Sequence, residues 1–235
     1  MSPRKANRPS LDPKQIVAAA LALIDETGLE GHTMRALGAR LGVDASTLYY
    51  HLPSKSALHS LIVDEMMSGL DLSKDDPSLS TAERVVAAAA EFRRALMLHP
   101  RALPLVAARS MRTETQLAGI EVLLGIFYGA GFSPLEAMVA VDGLGQTIIG
   151  ISSIHAAHLE AEQWAEEQPF AELPPERFPN VVRMLEEGAY IGFEAEFDTT
   201  IRALVDGVLA RQQAGTLLPP DAAPVRLTHP DAPTR

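Results

Sequence analysis

The stretch from Thr33 to Leu52, TMRALGARLGVDASTLYYHL, leaves this chain little freedom. Thr33 carries a hydroxyl suited to accept a backbone N–H of a first helical turn. Leu37 and Leu41 then fall four apart on one helical face, with Gly38 beside them. Gly42 stands where that helix must stop, because glycine takes positive φ without steric cost. Val43 fills the corner, Asp44 or Ser46 is placed to cap a second helix, and Leu48 points inward. A side chain at position 38 would hold the two helices apart. This is the spacing of a helix-turn-helix, whose second helix enters the DNA major groove. An αα-corner in any helical protein has the same spacing, so the residues left exposed must decide.

Around its one buried leucine the second helix presents Ser46, Thr47, Tyr49, Tyr50 and His51. These are hydroxyl and ring groups suited to phosphates and base edges rather than to a core. Pro53-Ser-Lys-Ser56 then starts another helix, whose free N–H groups and Lys55 would meet a phosphate. Thr33 and Arg35 fall where they too would meet the backbone. The candidate DNA-binding residues are therefore Thr33, Arg35, Ser46, Thr47, Tyr49, Tyr50, His51 and Lys55.

These residues resemble the tetracycline-repressor (TetR) family of bacterial transcription regulators. The matching positions are Gly28, Gly31, Thr33, Arg35, Leu37, Leu41, Gly42, Val43, Thr47-Leu48-Tyr49, His51, Ser54-Lys55 and Leu58. A weaker similarity to the ligand-binding domain of the tetracycline-repressor subgroup runs through Phe92 to His99, Gly131-Phe-Ser133 and Phe193 to Leu209. Carried over position by position, the family's pocket phenylalanine is Phe92, and its asparagine and glutamine become Ala88 and Leu123. Its magnesium-binding histidine becomes Ala107, and its Thr-Arg-Pro stretch becomes Ser110-Met-Arg112. The resemblance thus implies the family's body without its tetracycline–magnesium chemistry.

Net charge is −10, which is unexpected for a DNA binder until it is divided along the chain. Residues 1–60 carry seven lysines and arginines against five carboxylates, whereas the rest carry 13 against 25. The helix-turn-helix end is the only net-positive part, and an acidic body would orient it toward phosphate. There is no cysteine, which excludes disulfides and thiolate metal sites. The basic start, MSPRKANR, leads into no apolar signal core, so no export is expected and the cytoplasm is the expected location. The longest uncharged run, Gly143 to Leu159, holds Gln146, two serines and two histidines and reads as too short and too polar to span a bilayer.

In chain order, residues 1–10 form an aperiodic arm whose Arg4, Lys5 and Arg8 could reach DNA or simply stay solvated. Asp12 and Pro13 open a helix carrying Ile16, Ala20, Leu23 and Ile24, which Gly28 ends. A helix from Ser54 has Leu58, Leu61, Ile62 and Met66 as its inner face and joins the DNA end to the body. Asp71 to Leu79 is a polar loop, and Ser80-Thr-Ala-Glu83 is a capping box for a helix that His99-Pro100 breaks. Helices follow over about 101–108 and 113–128. Ser133-Pro-Leu-Glu136 opens the longest one, reaching to about Glu166 and lined with Gly143, Gly150, Ser153 and Ala157. A short helix from Phe178 and a last one over about 194–213 complete the pattern. No strand pattern emerges, so an all-α fold is expected. Its parts are a DNA-binding domain over 1–57, an effector-binding and dimerisation domain over 58–218, and a disordered tail over 219–235.

No catalytic constellation is legible. No Gly-rich phosphate loop appears, and no nucleophile has a base beside it in sequence. His155 and His158, three apart, are expected to be the polar end of a long helix rather than metal ligands. The paired carboxylates Glu166-Glu167 and Glu186-Glu187 sit on solvated faces. Neither cofactor nor metal is expected. The candidate effector pocket is Phe92, Leu96, Met111, Leu123, Phe127, Met138, Val141 and Gln146, with Leu124 nearby, a set that favours an apolar or aromatic ligand. The sequence thus predicts a homodimeric regulator of double-stranded operator DNA, released by a small molecule and not associated with a membrane. The alternative is a helical small-molecule binder or enzyme whose corner is only structural.

Overall fold

A computed structural model describes residues 11–71, 75–108, 113–160, 173–188 and 191–224. Among these, every regular element is helical: α1 (Pro13–Gly31), α2 (Met34–Leu41), α3 (Ala45–His51), α4 (Lys55–Ser68), α5 (Thr81–Met97), α6 (Leu103–Ala107), α7 (Glu114–Gly129), α8 (Pro134–Glu160), α9 (Pro179–Glu186) and α10 (Phe193–Gln213). The all-α expectation holds. The basic arm, Met111, Glu166-Glu167 and most of the expected tail lie outside the described residues.

The caps read from the sequence are in place. Asp12 accepts from the Lys14 N–H and forms a capping box with Gln15, with Pro13 in the first helical turn. Gly28, at φ 71° and ψ 176°, breaks the helical run of α1. Ser80 and Glu83 close the capping box of α5, and Ser133 and Glu136 make the reciprocal bonds at the start of α8. Gly131, at φ 87°, turns the chain between α7 and α8. Asp44 holds the N-cap position of α3 without a side-chain hydrogen bond, so neither it nor Ser46 caps in the way the sequence suggested.

The first three helices pack around Ile16, Ile24, Leu37, Leu48 and Leu58, all fully buried. Gly38 makes this possible. A Cβ built there would stand 2.7 Å from the Val43 carbonyl oxygen and 3.2 Å from the Ala45 nitrogen. The Val43 N–H donates to the Gly38 carbonyl at 2.9 Å across the same crossing. Gly42, left-handed at φ 68° and ψ 28°, supplies the turn.

In α4 the buried face is Leu58, Ile62, Val63, Met66 and Met67. Leu61, which the sequence placed on that face, is exposed instead, because the five buried residues trace an arc that stops just short of it. The body is built from α5, α7, α8 and α10, with α8 crossing its length at about 40 Å. Pro134–Leu159 is, by length and composition, apolar enough to cross a membrane, contrary to the reading of the shorter run within it. It packs against α5, α6, α7 and α10 and buries Ser152 and His155, while Met138, Val139, Ile154 and Leu159 stay exposed.

His155 is therefore not a solvated helix end. Its ring stacks on Phe193 at 4.3 Å between centroids and lies 3.5 Å from the Glu196 carboxylate. Burial, with the Arg93 charge beside it, holds its pKa below the ordinary imidazole value. Arg93 is itself buried. It donates to Glu194 at 2.6 Å and lies over the Phe197 ring, clamping α10 to α5. Among the described residues no three of His, Cys, Asp or Glu gather as a metal site.

Replacing Gly38 by alanine should destabilise the protein by about 1–3 kcal/mol, because backbone rather than a flexible side chain occupies the space. Gly125→Ala, on α7 with open space around its Cβ, should stabilise by about 0.5–1 kcal/mol. Thermal unfolding of the two variants checks both signs.

Candidate functional site

Two regions of the fold offer themselves to partners: the outer face of the first helices, and a cavity in the body. The first is built on α3. With Leu48 fully buried, the helix must present Ser46, Tyr49 and Tyr50 outward. Tyr50 is 88% exposed and Tyr49 50% exposed, although tyrosines usually bury most of their ring. Tyr50 meets the His51 ring edge-on at 5.4 Å between centroids. Thr47 and His51 are half-buried at the flanks of the same helix.

The expected phosphate contacts cluster around α3. Thr33 accepts from the Ala36 N–H at 3.0 Å, which leaves its hydroxyl hydrogen to donate outward. Arg35, two residues further on, is exposed, with no ion pair among the described residues. Arg40 is engaged, its guanidinium gripping Glu26 through two bonds of 2.6 and 2.7 Å. Lys55 is half-buried and donates to the His32 carbonyl at 2.6 Å. An ammonium has three N–H donors, so this bond ties the start of α4 to the start of α2 and leaves two donors for a phosphate.

His32 was absent from the sequence reading, because a lone histidine before a capping threonine carries no signal. It is fully buried, with one ring nitrogen 3.4 Å from that of His59 and the other without a partner. Burial, aided by the Lys55 and His59 charges, pushes its pKa down to about 4. The ring is held neutral in the packed corner.

The base of the first unit is latched to the body. Asp25 of α1 pairs with His99 at 2.7 Å. Arg101 donates to the Asp25 and Glu26 carbonyls at 3.1 and 2.8 Å, where Gly28 breaks α1. A cation facing carbonyls freed at a helix end is a favourable arrangement. On the other side, Thr113 ahead of α7 donates to Asp64 of α4.

The second region is a cavity of about 370 Å³ between α4, α5, α7 and α8. Phe92, Leu123, Val141 and Gln146 line it, as expected, and so does Ala88. Leu96 and Phe127 do not. Both are fully buried core, and Phe127 packs on Phe132 at 4.8 Å between centroids. Leu124 is half-buried against the core and also off the lining. Met138 is half exposed on the outside of α8, away from the cavity. Ala107 is exposed on α6. The sequence missed the polar lining, Asp71, Asp75, Arg84, Glu91 and Asp142, because a loop and two helices, α5 and α8, contribute it. Only Asp142, one turn before Gln146, carried a local signal.

Two family models match most of the chain. Residues 16–60 match the family model described as "Bacterial regulatory proteins, tetR family". Residues 75–212 match "Tetracyclin repressor-like, C-terminal domain". The tetracycline repressor protein class D of Escherichia coli is 30% identical over 166 residues, covering 70% of this chain and 76% of that protein. A helix-turn-helix-type transcriptional regulator of Saccharopolyspora erythraea is 31% identical over 150 residues, and the match spans 63% of each chain. Among solved structures, a possible TetR family transcriptional regulator from Streptomyces coelicolor A3(2) superposes with a TM-score of 0.75 at 25% identity. It covers 85% of this chain and 99% of that one.

The neutral His32 makes the stability of the first unit pH-dependent. An unfolded chain binds a proton at this position near pH 6.5, whereas the folded chain resists it down to about pH 4. Stability therefore falls as pH drops through that window, by about 2 kcal/mol from this group at pH 5, and is indifferent to it above the window. His32→Gln should lose that part of the pH 7 to pH 5 decrease in the unfolding midpoint. An unchanged decrease would place the effect elsewhere.

Proposed function

The chain belongs to the tetR family of bacterial regulatory proteins, whose members regulate transcription and are not enzymes, and from that premise we propose a homodimeric repressor that an apolar small molecule releases from a near-palindromic operator. The observation that carries this is the outer face of α3. Two tyrosines and a serine stand exposed on a helix whose single buried leucine and tight glycine turn fix their direction. Ser46, Thr47, Tyr49, Tyr50 and His51 read the major groove. Thr33, Arg35 and Lys55 hold phosphates on either side.

One such unit contacts too little DNA for a specific site, so a second copy is needed. The exposed apolar side chains of α8 and the start of α10, Met138, Val139, Ile154, Leu159 and Phe193, supply the interface. Gly143 and Gly150 on α8 and Gly207 on α10 have nothing within 4 Å of a built Cβ, so their small size serves no contact within the subunit. It would let twin helices approach as a four-helix arrangement.

The cavity of the body is the effector site, with Phe92, Leu123, Val141 and Gln146 in its lining. Signal passes through α4. This single helix of 14 residues, about 21 Å long, starts at Lys55 beside the DNA face and reaches Met67 in the cavity wall. A ligand that binds better when Met67 has shifted favours a different tilt of α4. That tilt changes the separation of the two α3 helices, and the pair no longer fits successive grooves. Residues 1–57 form the DNA-binding part and 58–218 the effector and dimerisation part, with the boundary in the first turn of α4. Such a regulator works in the bacterial cytoplasm.

A mobility shift with promoter DNA tests the assignment. Tyr49→Ala should weaken specific binding by about 1–3 kcal/mol and relax sequence preference. Lys55→Ala should weaken binding to all sequences alike and flatten the salt dependence by about one unit. Wild-type affinity in either variant contradicts these roles. A chain that shifts no duplex at all leaves the cavity as its working part, and the proposed function fails.

A further inference from the structure

The core side of α1 ends at Ile24, and from Asp25 to Gly31 no residue of the helix is buried. Past its contact with the turn Pro100–Ala102, this end faces α6 and α8 across an open cleft of about 470 Å³. Glu30, Pro104 and Ala157 are among the walls of that cleft. Polar groups therefore set where the end of α1 lies. Arg101, in the body, donates to the Asp25 and Glu26 carbonyls at 3.1 and 2.8 Å, and His99 pairs with the Asp25 carboxylate at 2.7 Å. The other Asp25 oxygen is buried with no partner among the described residues. Glu26 then reaches the opposite way. Both of its carboxylate oxygens are held by Arg40, in the last turn of α2, at 2.6 and 2.7 Å. These hydrogen bonds keep the Glu26 carboxyl below its ordinary range and push the Arg40 guanidinium up.

We propose that Glu26 is a positioning residue for DNA reading: a polar strut running from Arg101 through Glu26 to Arg40 sets the angle of α2, and so of α3, against the body. This rests on the proposed symmetric reading of DNA by two copies of the chain. Arg40 grips Glu26 as a two-pronged fork, which fixes direction as well as distance. Arg101 meets two consecutive carbonyls, so the end of α1 cannot swivel about a single bond. Arg40 stands two residues before Gly42, where the chain turns into α3. A displacement of Glu26 thus reaches the start of the recognition helix without passing through α4. Both side chains of the Glu26–Arg40 pair are partly exposed, and such pairs add little to stability, so the contribution here is geometric. Arg40, although basic and on the unit that meets DNA, is committed to Glu26 and not to a phosphate.

The test uses the full chain and the duplex it enriches from a randomised pool, rebuilt with one base pair added or removed between the half-sites. The wild type should prefer the selected spacing over either neighbour by about tenfold, since one base pair shifts a half-site by about 3.4 Å and turns it about the axis. Glu26→Arg and Arg40→Glu should each shrink that preference by about threefold, the effect of losing an exposed ion pair. The two substitutions together rebuild the pair with its charges exchanged and should restore the preference. Taking the ratio between spacings cancels the charge that each variant adds beside the DNA. Arg40→Gln should leave the salt dependence of binding as it is in the wild type. Single variants that keep the wild-type preference, or a double variant no better than the singles, overturn the strut. A salt dependence flattened by about one unit in Arg40→Gln assigns Arg40 to a phosphate and overturns it as well. If the wild type itself shows no preferred spacing, the symmetric reading fails and the strut falls with it.

Discussion

The contact of Gly38 with the backbone at Val43 and Ala45 sets the angle at which α3 leaves α2. The positions of the residues proposed to meet DNA follow from it. With α3 seated there, Leu48 is drawn into the core formed by Ile16, Ile24, Leu37 and Leu58, and the opposite face has only hydroxyl and ring groups to show. A methyl group at residue 38 would push α3 outward and unseat Leu48. The same corner requires His32 to lie without solvent beside Lys55 and His59. It is therefore held neutral, and the tightness of the corner appears as sensitivity to acid.

A continuous helix and side-chain ties join this unit to the body, and they differ in kind. The helix α4 is continuous from Lys55 to the cavity wall, and in the proposed mechanism it carries displacement as a rod. The Asp25–His99 pair and the Arg101 bonds to the end of α1 are a polar latch at one edge, opposite a second tie from Thr113 to Asp64. A rod moving against a fixed latch rotates the unit instead of translating it. In the proposed dimer, a small shift at Met67 would thereby alter the spacing of the two α3 helices.

Elements with local causes were legible in the sequence. The helix starts at Asp12, Thr33, Ser54, Ser80 and Ser133 and the breaks at Gly28, Gly42 and Gly131 depend on neighbours a few residues away, and each stands where it was expected. The exposed face of α3 follows from Leu48 in the same way. What was not legible depended on distant partners. Met138 has the composition of a pocket residue, but the rotation of α8 turns it outward. Leu61 fits the helical period, yet lies just outside the buried arc of α4. His155 reads as a polar helix end in sequence, but Phe193 and Glu196 of α10 close over it, and Arg93 finds its carboxylate 101 residues away. The acidic side of the cavity is assembled from a loop and from helices α5 and α8, so no window of sequence contains it.

The central claim is that two copies of this chain read DNA symmetrically through α3. Purified protein is incubated with a pool of randomised duplexes, and the DNA it retains is sequenced. The account predicts one enriched pattern of two inverted half-sites whose centres lie about one helical turn, roughly 34–36 Å, apart. Retention of duplexes without any enriched sequence, or of a single unsymmetrical site, would contradict it.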